Sequence, residues 1–389
     1  MTESIPSGPS LSSAAMLRVG DAHIVVSATE ASLASWLGST FGDLAVDATA
    51  AGGPDHVVEL RVGASAVEFV VDGHIIYQGS NRANVVDHFV SWCNRTAIES
   101  RVDSVNVHAA GLRPPATDWC VVVPGAPGAG KSSVSGAAVS AGWGYLSDEV
   151  VSIDHARQAL PYPKPLTIKR GGLPLLAVNV EGHTIAESQT RWYLRPADLG
   201  GQIAPPCRVG AVVFSTYVAD AATVLEPMST ADAVLELATN CQDELDDAGA
   251  ALLRLAQVCS SAFCGRMTQS NLTTALELLA ATGIDVPAVP APALLTAPSA
   301  TPDRGGPRVA ADAVAVAVGD GVVVHHPPSR QLLALDPLAG AIWQLLDGST
   351  ARDALAAELS EAFDHPVEAV AEDLDRLLAE LDRHELLAG

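Results

Sequence analysis

One stretch constrains this chain more than any other: Gly125-Ala126-Pro127-Gly128-Ala129-Gly130-Lys131-Ser132-Ser133. It fits G-x-x-x-x-G-K-[ST] at every specified position. An apolar run, Trp119 to Val123, precedes it and reads as a buried strand, and Ser133 to Val139 comes after it and reads as the start of a helix. Strand, glycine-rich turn and helix, in that order, are what a phosphate-cradling loop needs. The glycines let the backbone curl so that several N–H groups point inward, and the helix start adds the positive end of its dipole. On this reading Gly125 through Ser133 bind ATP, with Lys131 on the β/γ-phosphates and the Ser132 hydroxyl on Mg²⁺. The rival, a glycine-rich turn with a chance lysine, leaves the flanking strand and helix unexplained.

The order of elements around this loop extends the reading. Val105 to Ala110 is an apolar run ending in His108-Ala109-Ala110, one strand before the loop. Trp143 to Glu149 lies after the loop helix and reads as a turn and short strand ending in Asp148 and Glu149. A strand, loop, helix, strand and acid in sequence is the order of a nucleotide core with a metal-side carboxylate. Asp148 or Glu149 is then expected to supply that carboxylate, with Ser132 on the same metal. The alternative is that the acids merely open the turn before Val150.

Charge excludes some partners. The chain carries 22 Lys and Arg against 45 Asp and Glu, a formal net charge of −23. Such a field repels nucleic acid and anionic membrane and favours a basic partner. Against this background Lys164, Lys169 and Arg170, gathered within Pro161 to Gly172, stand out. They either contact an anion, nucleotide or substrate phosphate, or form a solvated basic face. The six cysteines form no C-x-x-C pair, and no run is apolar enough to span a membrane, so a cytosolic protein with reduced thiols is expected.

Composition also marks boundaries. Residues 1–16 are Ser/Pro-rich and read as a loose tail. Residues 17–100 alternate short strands with helical runs, with Asp72-Gly73 as a hairpin signal, and read as a small α+β region without recognisable chemistry. Residues 101–285 form the core, with Ser229 to Cys241, Glu244 to Phe263 and Asn271 to Ala281 as amphipathic helices. Across 286–307 prolines recur among Ala, Ser and Thr, an extended solvated linker that predicts independent folding of the segments on either side. Residues 308–389 read as three strands, two of them flanking Gly319-Asp320-Gly321, and then three helices. The last carries Val367, Val370, Leu374, Leu377, Leu378 and Leu381 at helical spacing.

Two family resemblances attach to these residues. His108-Ala109-Ala110, the loop and Ser147-Asp148-Glu149 resemble the core of HPr kinase/phosphorylase and its relatives, which share a fold with ATP-dependent phosphoenolpyruvate carboxykinases. The match runs loosely over residues 17–282. It implies an α/β P-loop core with Asp148 as the acid/base, His108 beside it, Glu149 near the metal, and assembly into a homo-oligomer. The later signature of true HPr kinases is absent, and the chain is more similar to HPr-kinase-like enzymes that act beside ribosomally made peptides, including lasso-peptide tail kinases. The stretch Leu335-Asp336-Pro337-Leu338-Ala339-Gly340-Ala341-Ile342-Trp343-Gln344-Leu345-Leu346 resembles the PqqD-like, winged-helix-like domain that recognises peptide leaders. That resemblance implies a leader strand added along Leu332, Leu333, Ala334 and Leu335 and lying against Leu374 and Leu378.

Together these predict an ATP-dependent kinase acting on a Ser or Thr hydroxyl of a precursor peptide, with other peptide-maturation enzymes as further partners. Two rivals stand beside it: a small-molecule kinase whose tail recruits a partner, and a nucleotide-gated peptide chaperone without turnover.

Overall fold

The computed structural model describes residues 12–48, 53–125, 128–176, 191–243, 248–282, 290–296, 298 and 305–388. The chain divides into two compact units, Met1–Leu225 with Met267–Thr282, and Glu226–Arg266 with Gly283–Gly389.

The first unit opens with β1 (Ser12–Val19), β2 (Ala22–Ala28), α1 (Ala31–Thr40), β3 (His56–Val62), β4 (Val67–Val71), β5 (His74–Gly79) and α2 (Arg82–Glu99). The five strands form one sheet in chain order. β2 and β3 run parallel, joined through α1, and the other neighbours are antiparallel. Asp72 and Gly73, both at positive φ, make the two-residue turn between β4 and β5 that the sequence signals. The expected tail at 1–16 is shorter than read, because Ser12 to Met16 already pair with β2. Phe41, Phe69 and Phe89 meet edge to face, 5.3 Å and 6.1 Å between ring centroids, in a core that also takes in Val150, Tyr162 and Tyr193. The region 17–100 therefore shares its core with these later residues, instead of standing apart as a subdomain.

The chain continues through β6 (Val105–Arg113), β7 (Trp119–Pro124), α3 (Lys131–Ser140), β8 (Gly144–Ser147), β9 (Val150–Ile153), β10 (Gln158–Leu160), β11 (Leu166–Lys169), β12 (Arg191–Leu194), β13 (Gln202–Ile203), β14 (Cys207–Tyr217) and β15 (Val224–Pro227). A large sheet runs β13-β8-β6-β9-β10-β14, with β7 paired to both β6 and β14. β7 is buried along its whole length, which explains its unbroken apolar run. β14 lies parallel to it. β11 and β12 form a separate antiparallel ribbon.

Next come α4 (Thr230–Ala238), α5 (Ala248–Cys259), β16 (Phe263–Gln269) and α6 (Leu272–Ala280). The expected helix from Glu244 to Phe263 ends at Cys259. Residues 244–247 lie outside the described ones, and Phe263 opens a strand whose mixed Cys-Gly-Arg-Met composition hides the β period.

The second unit closes with β17 (Ala293–Leu295), β18 (Val314–Val318), β19 (Gly321–His326), β20 (Gln331–Leu335), α7 (Pro337–Trp343), α8 (Arg352–Phe363) and α9 (Val367–Arg383). The four strands pair in chain order. One sheet face, with Ala315, Val322, Val324, Leu333 and Leu335, packs into a core with Trp343, Leu355, Leu359, Leu374 and Leu381. The opposite face carries the fully buried Val316 and Val323. α4 packs on β19 and β20, and α5 on β17 and β18. Asp320, in the β18–β19 turn, accepts from the backbone N–H groups of Thr230 at 2.6 Å and Ala231 at 3.1 Å, capping α4.

Two readings change here. The helices at 230–259 belong with the C-terminal strands and not with the core at 101–285. The linker at 286–307 is not solvated throughout: Ala293 to Leu295 pair antiparallel with Ala315 to Ala317. An unpaired β18 edge would expose backbone groups, and a short strand after Pro290 and Pro292 satisfies them. The remaining linker positions, 286–289, 297 and 299–304, lie outside the described residues.

Candidate functional site

In the first unit the glycine-rich loop leaves the end of β7 and returns as α3. Ala126 and Pro127 lie outside the described residues. Gly128 and Gly130 sit at φ +97° and +91°, conformations that disfavour side chains, and a Cβ on Gly130 would meet Gln269 Nε2 at 2.8 Å. Gly130 is the N-cap of α3, so Lys131, Ser132 and Ser133 form its first turn.

Lys131 is 7% exposed. Its ammonium donates to the Gly125 carbonyl and lies 3.1 Å from His108 Nε2. His108 Nδ1 lies 3.2 Å from the Glu149 carbonyl and 3.5 Å from its carboxylate. An imidazole protonated at Nδ1 satisfies both contacts, donating to the carbonyl and accepting from the ammonium. Burial lowers the His108 pKa below its usual value, Glu149 partly opposes this, and Lys131 adds to it. Burial also lowers the Lys131 pKa. Sheet register brings these groups together: His108 is the Cα partner of Val150 across β6 and β9, which sets it beside the acid pair.

Asp148 is 2% exposed and accepts three hydrogen bonds. Oδ1 accepts from the Lys164 ammonium at 2.5 Å and the Tyr145 hydroxyl at 2.9 Å, and Oδ2 accepts from the Thr167 N–H at 3.1 Å. Lys164 is 1% exposed. The basic loop residues thus divide. Lys164 is neither on a solvated face nor unpaired for a phosphate, Lys169 is exposed, and Arg170 is exposed outside the cavity lining.

These side chains line a cavity of about 410 Å³. Gly128, Gly130, Lys131, Ser132 and Ser133 form one part, with His108, Asp148, Glu149, Lys164 and Lys169 beside them. α2 and β12 complete it with Asp87, Val90, Ser91, Asn94, Arg191 and Tyr193. Sequence reasoning missed the α2 contribution, although 87, 90, 91 and 94 have the spacing of one helical face. Positive-φ glycines, a helix start and Lys131 suit an anionic group. Ser132 and Glu149 offer the oxygen donors a hard cation takes, and Asp148 Oδ2, which accepts only the Thr167 N–H, keeps a lone pair beside them while Oδ1 holds Lys164. Among the described residues no group of three or more His, Cys, Asp or Glu gathers as a metal site.

The Asp148–Lys164 pair carries a stability prediction. Lys164→Met should lower the unfolding free energy by roughly 3–5 kcal/mol, because it strands a buried carboxylate. Lys164→Met with Asp148→Leu should be less destabilised than the single variant. Urea unfolding checks this, and a single variant as stable as the parent would show that water already reaches Asp148.

In the second unit β20 has one described neighbour, β19, and its other edge carries no described strand. The expected peptide contacts separate by burial. Leu333, Leu335 and Leu374 belong to the core at 8%, 4% and 1% exposure, so their side chains are already packed. Leu332, Ala334 and Leu378 are half-buried. A groove of about 350 Å³ runs between α7, α8 and α9, lined by Leu338, Ile342, Phe363, Val370 and Leu377, with Asp336 and Glu380 among its charged residues. Arg352 ties α8 to α9 through Asp375 and the Ala371 carbonyl. No helix among the described residues is long and apolar enough to cross a membrane.

Fold and sites define a mixed α/β protein in two units, one with a glycine-loop cavity and one with a four-stranded sheet and a helical groove. Residues 321–387 match the family described as Coenzyme PQQ synthesis protein D (PqqD). A PqqA binding protein of Rhizobium meliloti (strain 1021) is 37% identical over 81 residues, which cover 18% of this chain and 83% of that protein. Through this C-terminal region the chain belongs to the PqqD family.

Proposed function

We propose that the chain is an ATP-dependent kinase that phosphorylates a Ser or Thr hydroxyl of a ribosomally made precursor peptide held by its PqqD region. One observation carries the reading: a single chain joins a Lys131–Ser132 glycine-loop cavity to a PqqD-family region whose relative is named for binding PqqA. The β20 edge offers main-chain hydrogen bonds to an added strand, and the α7–α8–α9 groove takes its apolar side chains.

At the cavity, ATP with Mg²⁺ supplies the transferable phosphoryl group and the cation that offsets its charge. The α3 N–H groups and Lys131 hold anionic oxygens. His108, neutral because it is buried, directs the Lys131 ammonium without adding a competing charge. Asp148 accepts the proton of the attacking hydroxyl once Lys164 releases it. Tethering the peptide raises its concentration at the cavity and leaves the chemical step unchanged.

The locked Asp148 favours a second reading, a peptide carrier that binds nucleotide without transferring phosphate. Incubating the full chain with Mg·ATP and a panel of synthetic Ser- and Thr-containing precursor peptides, and then weighing the peptides by mass spectrometry, separates the two. A peptide that gains one phosphoryl group at a Ser or Thr supports the kinase. Peptide and nucleotide that both bind, with no mass gain, support the carrier.

A further inference from the structure

The cavity in the first unit is chemically two-sided. On the glycine-loop side stand the α3 N-terminus, Lys131 and Lys169, whose positive charge acts on Lys131. On the α2 side Asp87, Val90, Ser91 and Asn94 form one helical stripe. Asp87 is offset by an ion pair: it lies 2.9 Å from Arg191 Nη1 and accepts from the Tyr193 hydroxyl at 2.5 Å. Asn94 Oδ1 accepts from the Tyr162 hydroxyl at 3.2 Å, which leaves the amide nitrogen as a donor. The Ser91 hydroxyl is exposed and has no hydrogen-bond partner among the described residues. The opposite face of α2 is buried through Val86, Phe89 and Cys93, so the stripe is held rigidly.

A polyanion belongs at the cationic side, and a neutral group with main-chain-like hydrogen bonding belongs at the stripe. The geometry points to α2 as the acceptor arm of this cavity: its stripe takes a neutral, hydroxyl-bearing stretch of peptide, and not an anionic small molecule. The inference rests on the kinase reading and names the substrate class at that same site. It gives the N-terminal region a role in choosing the acceptor, with Ser91 and Asn94 meeting peptide carbonyl and N–H groups and Val90 covering an aliphatic carbon.

Cysteine protection tests the assignment on the full chain. Five of the six native cysteines are buried, so Cys241→Ser gives a quiet background. Into it go Ser133→Cys on the loop side and Ser91→Cys on α2, each labelled with a maleimide. The probes are Mg·ATP, the capped neutral peptide acetyl-Gly-Ala-Ser-Ala-Gly-amide, and phosphoserine. With a probe at about ten times its Kd, labelling of a covered cysteine slows about tenfold by mass action. Mg·ATP should slow Ser133→Cys and spare Ser91→Cys, and the neutral peptide should slow Ser91→Cys. Protection of Ser91→Cys by Mg·ATP equal to that of Ser133→Cys would overturn the assignment. So would protection of Ser91→Cys by phosphoserine and not by the peptide, or by neither. Failure of Mg·ATP to protect either cysteine would instead remove the nucleotide from this cavity, and the kinase reading with it.

Discussion

Lys131→Ala will weaken Mg·ATP binding by at least about tenfold while leaving the fold intact. The ammonium lies at the first residue of α3, against the Gly125 carbonyl and His108, where it faces the cavity. Hydrogen bonds to a charged group are worth roughly 1.5–3 kcal/mol each, so losing one or two of them weakens binding by about one to four orders of magnitude. The helix itself packs through Val134, Ala138 and Val139, which the substitution does not touch, and alanine suits a helix better than lysine. Calorimetry with Mg·ATP, beside a thermal melt of both proteins, checks the two halves of the expectation. Equal affinity in the variant would separate the glycine loop from any nucleotide.

Cutting the chain in the linker will cost far more than a spacer should. A piece beginning at Arg308 loses β17, and it loses the α4–α5 cover over Val316 and Val323, both 0% exposed. Full burial of a valine is worth roughly 1.5–3 kcal/mol, so these two account for about 3–6 kcal/mol. That approaches the whole stability of an ordinary domain, about 5–15 kcal/mol. A chain ending at Thr282 has the complementary defect, with Val234, Leu237, Leu252 and Leu255 of α4 and α5 deprived of the strands they pack on. Both pieces should aggregate or bind a hydrophobic dye, and the Arg308 piece should melt without a cooperative transition. A sharp melt of that piece, with peptide affinity equal to the full chain, would show that the α4–α5 cover is dispensable. The sequence-based expectation of independent folding is thus reversed, for a physical reason: β18 and β19 are buried on both faces, which their unbroken Val-rich runs permit but cannot assign to a partner.

Much of the local structure was legible. Gly128 and Gly130 occupy the positive-φ positions that the glycine spacing demands, and α3 starts at Lys131 because the loop ends there. Asp72-Gly73 turns at positive φ as its residues favour, and Gly319-Asp320 turns where expected, with Gly321 already in β19. α9 exposes acids and buries Leu374 and Leu381, as its period states. These are short-range consequences of backbone freedom and helical or strand period, and a sequence carries them directly.

The partners of those elements were decided elsewhere. Register across β6 and β9 placed His108 against Lys131 and Glu149. The antiparallel β11–β12 ribbon put Arg191 opposite Lys169, and Arg191 in turn holds Asp87 of α2. A buried cation at Lys164, read as a candidate phosphate contact, belongs to Asp148. α2 looked chemically silent because its polar stripe has the composition of any solvated helix face, and only packing turned that stripe into a cavity wall. The linker looked solvated because prolines and alanines dominate it, yet an exposed sheet edge claimed three of its residues. In each case the deciding contact joins residues far apart in the chain. Its energy comes from burying a particular surface or satisfying a particular backbone edge, which local composition does not encode.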